Sequence, residues 1–305
     1  MQQVMWTGVA AALAAALLGS AWQLLTRHGV TTTLGPIEIA LLRYGIPALV
    51  LLPVLRRVGL RPAGLSRWRL LALVAGGGLP FGLLVLAGAQ LAPAAHIGVF
   101  MAGTMPVFTA LACLLLLGEA IPVIRCIGFM FILAGVAWLG LSGATLLPGA
   151  WRGDLLFLLA AVAWAGYTVA FRGSGLTAWE GAAVVNAWSS IGLLALLPWT
   201  GAPRLLTAPW SDVVLQALGQ GVLAGLLGQV VYMAAVSQLG SSRAALSSAL
   251  VPPMTALGAS LLLGEQADLS TWIASALVAC GIALAALAGS RTSVAAATVA
   301  KSSSA

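Results

Sequence analysis

The chain has 305 residues, 61% of them hydrophobic and only 7% charged, with a mean hydropathy of +1.06 and a formal net charge of +7. A soluble domain carries about 25% charged residues, so lipid is the only solvent that suits this much apolar surface. The positive balance makes no nucleic-acid footprint, because the basic residues sit in short loops between apolar runs and not on one continuous patch. In chain order, apolar segments fall at 4–26, 36–55, 70–90, 96–117, 123–143, 153–172, 180–199, 216–238, 244–263 and 271–289. Each is near the ~20 residues that cross the hydrocarbon layer, which predicts an all-α integral membrane protein of ten transmembrane helices. The first run lacks a preceding basic residue and has the length of a span, so it reads as an uncleaved first helix. The Ser-, Ala- and Thr-rich stretch 290–305 reads as a disordered cytoplasmic tail.

One stretch is written twice. Pro106-Val107-Phe108-Thr109-Ala110-Leu111, running on to Gly118-Glu119, returns as Pro252-Pro253-Met254-Thr255-Ala256-Leu257, running on to Gly264-Glu265. The aligned Pro, Thr and Gly-Glu are informative matches even in so apolar a chain. A second match, Trp22 to Arg27 with Tyr167 to Arg172, has nearly the same offset. The chain therefore divides into halves, 1–146 and 147–289, of five predicted spans each. An odd number of spans inserts the second half upside down, which predicts inverted repeats about a pseudo-two-fold axis in the membrane plane.

Basic residues set the orientation. Arg56, Arg57, Arg61, Arg67, Arg69, Arg125, Arg172, Arg243, Arg291 and Lys301 fall on one side of the ten spans, and only Arg27, Arg152 and Arg204 on the other. The positive-inside bias places both termini in the cytoplasm, although Arg27 and His28 at the outer end of the first helix run against it. Cys113, Cys126 and Cys280 lie inside apolar runs with no metal or disulfide spacing, so buried packing is expected of them.

With these features the chain resembles the drug/metabolite transporter superfamily, and within it the EamA branch of ten-helix exporters. The resemblance is carried by the two Pro-to-Gly-Glu stretches, by Gly19-Ser20-Ala21-Trp22, and by Pro36-Ile37-Glu38-Ile39-Ala40-Leu41-Leu42-Arg43. Ala234-Ala235-Val236-Ser237-Gln238-Leu239-Gly240-Ser241-Ser242-Arg243-Ala244 adds to it, and the match runs over 4–289. It implies two inverted five-helix repeats around a central cavity, and export of amino acids, related metabolites or drugs across a bacterial cytoplasmic membrane. The run Gln90-Leu91-Ala92-Pro93-Ala94-Ala95-His96 departs from the pattern, which has small residues and Ser there.

Arg43 is the first candidate, because a charge within a span costs at least ~2.5–3.5 kcal/mol and needs compensation. It can pair a substrate carboxylate, or clamp Glu38 or the carbonyls of a neighbouring helix; its place in a general motif favours the clamp. Glu38 and Glu180 open the second and seventh helices and suit the exposed amides there; proton coupling is the sharper alternative. Gly118 and Gly264 suit left-handed helix ends, after which Glu119 and Glu265 can cap the next helix. Pro106, Pro252 and Pro253 predict mirrored breaks in paired helices, as a gate or as plain curvature. His96 is a pH-titratable group at the outer start of the fourth helix, fit for a proton relay or for a simple interfacial hydrogen bond.

The uncharged polar and aromatic set is larger. Trp22 and Gln23 in the first helix, Trp164 and Tyr167 in the sixth, Asn186 in the seventh, and Gln229 and Tyr232 in the eighth are candidate cavity residues. Such a lining fits a neutral or zwitterionic amphipathic solute. The bland readings are packing seams and interfacial belts. No nucleotide-phosphate loop, zinc motif or nucleophile elbow is present, so no cofactor is expected and any pumping would draw on a gradient. The expected partners are a small-molecule substrate, the bilayer and a proton as coupling ion. The rival classes are a membrane scaffold or sensor, and a lipid-modifying enzyme, for which no cluster of catalytic groups is visible.

Overall fold

The computed structural model describes the backbone over 2–146, 148–227 and 248–302, and side chains within 13–142, 148–227 and 248–287. Every regular element among the described residues is helical. Helix α1 spans Gln2–Thr31. Next come α2 (Pro36–Val50) and α3 (Leu52–Val58), bent by 67° where Pro53, lacking an N–H, follows the junction. Helix α4 (Arg67–Leu91) is interrupted at Gly78, and α5 (Ala94–Leu117) contains a π-helical stretch, Ile97–Ala102. The first half closes with α6 (Val123–Leu146).

The second half begins with α7 (Ala150–Arg172) and α8 (Ala178–Thr200), followed by the short α9 (Pro203–Thr207). Helix α10 (Trp210–Leu227) turns π-helical from Ala217, α11 spans Ser248–Leu262, and α12 spans Leu269–Ser302. Seven of these are long and apolar enough to cross a membrane, or eight if α2 and α3 form one bent span. Of the ten spans expected, the first (α1) is not among these, its side chains before 13 lying outside the described residues. The ninth is met only by the shorter Ser248–Leu262; 228–247, the end of the eighth and start of the ninth, also lie outside the described residues. The tail expected to lack structure continues as α-helix to Ser302, in keeping with the helix-forming run Ala295-Ala296-Ala297.

Helix starts follow local chemistry. Glu38 Oε2 accepts from the Gly35 N–H at 3.1 Å, and Glu180 Oε2 accepts from the Thr177 N–H at 2.8 Å and its hydroxyl at 2.9 Å. Both acids therefore cap first turns, as their positions imply. The repeated glycines end α5 and α11 in left-handed conformations, Gly118 with φ 69° and Gly264 with φ 67°. The prolines stand at breaks, as expected, and the break lies on their N-terminal side. Pro106 sits in the first turn of Met105–Leu117, after the π-helical stretch, and Pro252 in the first turn of Val251–Leu262, after a 3-10 turn at Ser248–Leu250. There the missing N–H is one that no carbonyl would have bonded, so each proline starts a segment after a break instead of bending a continuous helix.

Packing pairs the elements of one half with those of the other. Helix α6 lies along α12, and α2 along α8; α1 contacts α11 while α5 contacts α7; α10 contacts α1 while α4 contacts α7. The α6–α12 seam is glycine-lined: a Cβ on Gly128 would lie 2.6 Å from the Gly281 carbonyl, and one on Gly281 2.5 Å from the Gly128 carbonyl. Backbones approach this closely only where no side chain intervenes.

Candidate functional site

The polar centre forms where α1, α2 and α10 meet. Gln220, fully buried, takes the Trp22 Nε1–H on its Oε1 at 2.9 Å and the Arg43 Nη1–H on the same atom at 3.3 Å. Its amide donates to Thr26 Oγ1 at 3.0 Å, and one turn earlier Gln216 Nε2 donates to the Leu25 carbonyl at 2.8 Å. The Arg43 guanidinium lies 4.6 Å from the Trp22 ring centroid and 5.7 Å from that of Tyr44. Its Nε is buried without a hydrogen-bond partner, and no carboxylate among the described residues pairs with it. The clamp on Glu38 does not form, because that carboxylate is taken by Gly35 and by the Arg204 N–H at 3.3 Å. Stacking on Trp22 offsets part of the cost of the charge, while guanidinium donors remain for an anion.

An aromatic row leads from this centre across both halves. Trp22 stacks on Phe81 at 6.5 Å, Phe81 meets Trp164 at 5.2 Å, Trp164 meets Tyr167 at 5.0 Å, and Tyr167 meets Phe171 at 5.8 Å. Tyr44 adds rigidity by donating from its hydroxyl to the Gly78 carbonyl at 2.6 Å, at the interruption of α4.

The structure sorts the sequence candidates. Trp22, Arg43, Trp164 and Tyr167 come together along this row. Gln23 turns away and, buried, accepts from the Thr255 hydroxyl at 2.9 Å, tying α1 to α11. The Asn186 amide donates to the Ala182 carbonyl of its own helix at 2.8 Å. Gln229 and Tyr232 lie outside the described residues. His96 is no surface histidine: it is buried, with Nδ1 2.7 Å from Asp154 Oδ1 of α7 and its ring 5.7 Å from Phe100. It borders a cleft of about 240 Å³ that Glu265, Asp268 and Thr271 also line. Cys113 is buried as expected, but Cys126 and Cys280 are exposed on helix faces.

Glu265 does not cap the next helix as expected, since the first turn of α12 is held by Asp268 Oδ1, which accepts from the Thr271 N–H at 2.8 Å; both Gly-Glu carboxylates pair with arginines instead. Arg27 Nε donates to Glu265 Oε1 at 2.6 Å, and Glu265 Oε2 accepts from the Ala94 N–H at 2.8 Å. At the other repeat, Arg172 Nη2 meets Glu119 Oε1 at 2.9 Å and Nη1 meets Oε2 at 3.2 Å. The Arg172 hydrogen bond holds the Glu119 carboxyl below the ordinary carboxylate range. Sequence reasoning missed Gln220, Phe81 and Asp154. Gln220 had a signal, an amide flanked by Gly219 and Gly221 in an apolar run; Phe81 had none.

A bundle of apolar helices in two similarly built halves, meeting at a half-buried arginine and an aromatic row, defines a polytopic membrane protein. The EamA-like transporter family matches this chain twice, over residues 6–141 and 151–287, and the chain belongs to that family, whose members are transporters. No curated protein matches it in sequence. A solved crystal structure of another protein has a TM-score of 0.58 to it, at 22% identity, over 94% of this chain and 98% of the other. At that identity the likeness shows a shared fold.

Proposed function

We propose that the protein is a secondary carrier of a bacterial cytoplasmic membrane that exports small amphipathic metabolites, amino acids or their relatives, by alternating access. Two five-helix repeats of opposite orientation, 1–146 and 147–289, enclose the substrate site, and both termini face the cytoplasm. The observation that carries this reading is Arg43: a guanidinium inside the bundle, seated on Trp22, with a buried unpartnered Nε and no acid beside it among the described residues. A substrate carboxylate supplies the missing acceptor, and the row from Trp22 to Tyr167 supplies an apolar wall. Pro106, Pro252 and Pro253, at the starts of helix segments that follow breaks, serve as hinges between rigid parts. The buried His96–Asp154 pair is the candidate carrier of a coupling proton.

Reconstitution in liposomes with a panel of labelled amino acids and amphipathic metabolites tests the reading. Solutes bearing a carboxylate should move faster than in empty vesicles, and their methyl esters should not. The proposal fails if well-folded protein moves none of them.

A further inference from the structure

We infer that Arg27–Glu265 and Arg172–Glu119 are the two gates of the transport cycle, one ion-pair latch at each membrane face, and that each must break while the other holds. The inference rests on the carrier reading above. Each latch joins the end of one half's first helix to the Gly-Glu end of the other half's fourth. Arg27 and Arg172 stand 145 positions apart, Glu119 and Glu265 146 apart, which is the offset of the duplicated stretches themselves. Equivalent residues thus choose equivalent partners in the opposite half, once at each face under the orientation set by loop charge. Incidental surface pairs have no reason to repeat in this way. A contact that joins the halves at one face has to be released before they separate there, so the pairs sit where a gate acts.

The two latches are not equally strong. The outer one is four-fifths shielded, with both side chains 20% exposed, and it reaches further into the fold. Arg27 Nη1 donates to the Ala89 carbonyl at 2.6 Å and Glu265 holds the Ala94 N–H, so this pair also ties α1 to the end of α4 and the start of α5. The inner pair is bidentate but 52% and 47% exposed, so solvent screens it. Both are closed in this structure. The weaker latch faces the cytoplasm, where an exporter loads.

A native reporter sits beside the inner latch. Arg172 Nη1 lies 3.3 Å from Cys113 Sγ, and Cys113 is buried. The chain holds three cysteines, so a Cys126→Ser/Cys280→Ser background leaves Cys113 alone. In that background, a membrane-impermeant maleimide reaching the cytoplasmic face of reconstituted protein should label Glu119→Gln about two- to five-fold faster than the parent, the scale of losing one screened pair. Arg27→Gln should label more slowly, because opening the outer face keeps the inner one shut. Exchanging the charges, Arg172→Glu with Glu119→Arg, should restore protection and shows that the pair, not one side chain, is the latch. Parent-like labelling in Glu119→Gln, or faster labelling in Arg27→Gln, overturns the inference. Labelling needs no substrate, so a protein that moves no solute yet answers these changes loses its assignment as a carrier and keeps its gates.

Discussion

A guanidinium in a span must recover about 2.5–3.5 kcal/mol on insertion scales, and the partners of Arg43 are few. The one carbonyl oxygen of Gln220 serves both Trp22 and Arg43, and the contact to Trp22 contributes through its ring face. If Arg43 were a structural clamp, removing it would unfold the protein; if it waits for a carboxylate, removal would leave stability intact and weaken binding. Arg43→Gln is therefore expected to keep the melting temperature while raising the transport KM roughly 10–100-fold, the worth of a charge-assisted pair. Arg43→Lys should recover little, since a point charge neither stacks on Trp22 nor presents two donors. Melting curves and uptake kinetics on the same preparations separate the two cases. Asp154 is the contrast. Its contact with buried His96 is closed within the protein, so Asp154→Ala should cost about 1.5–3 kcal/mol and lower the melting temperature.

Among the elements, the repeated glycines separate backbone conformation from packing. Gly118 and Gly264 adopt positive φ in open space, with nothing within 4 Å of an added Cβ. Alanine there meets only the left-handed penalty, so Gly118→Ala and Gly264→Ala should each cost about 1–2 kcal/mol and by similar amounts. Gly281 has ordinary helical geometry but faces the Gly128 carbonyl at contact distance, so Gly281→Val should destabilise more than either by prising α12 from α6. Thermal denaturation of the three variants checks that order. The glycine ends were legible in the sequence, because Gly-Glu after an apolar run reads as a left-handed stop wherever it occurs. The proline breaks were legible only as to place. Apolar periodicity is the same for a kinked helix and for two segments meeting at a turn, so nothing local to Pro106 shows that the helix restarts at Met105.

For the whole molecule, the sequence shows the duplication and the lipid-facing composition but not the contacts between halves. Arg27 and Glu265 are 238 residues apart, and their meeting depends on how α1 lies against α11, which no spacing rule encodes. Once the halves are joined, the latches make a prediction about ionic conditions. Glu119 has a depressed pKa, so its contribution is complete above the ordinary carboxylate range and is lost only as pH falls through the lowered value. Across neutral pH the inner latch should therefore hold constant. Salt acts differently. Raising ionic strength from about 0.1 M to about 1 M shortens the Debye length from about 10 Å to about 3 Å, which weakens an exposed pair and largely spares a shielded one. The rate of Cys113 labelling, taken relative to Glu119→Gln to remove the thiol's own response, should thus be flat with pH near neutrality and rise with salt. A ratio that ignores salt while changing near neutral pH would mean that some group other than the Arg172–Glu119 pair holds that end of the bundle closed.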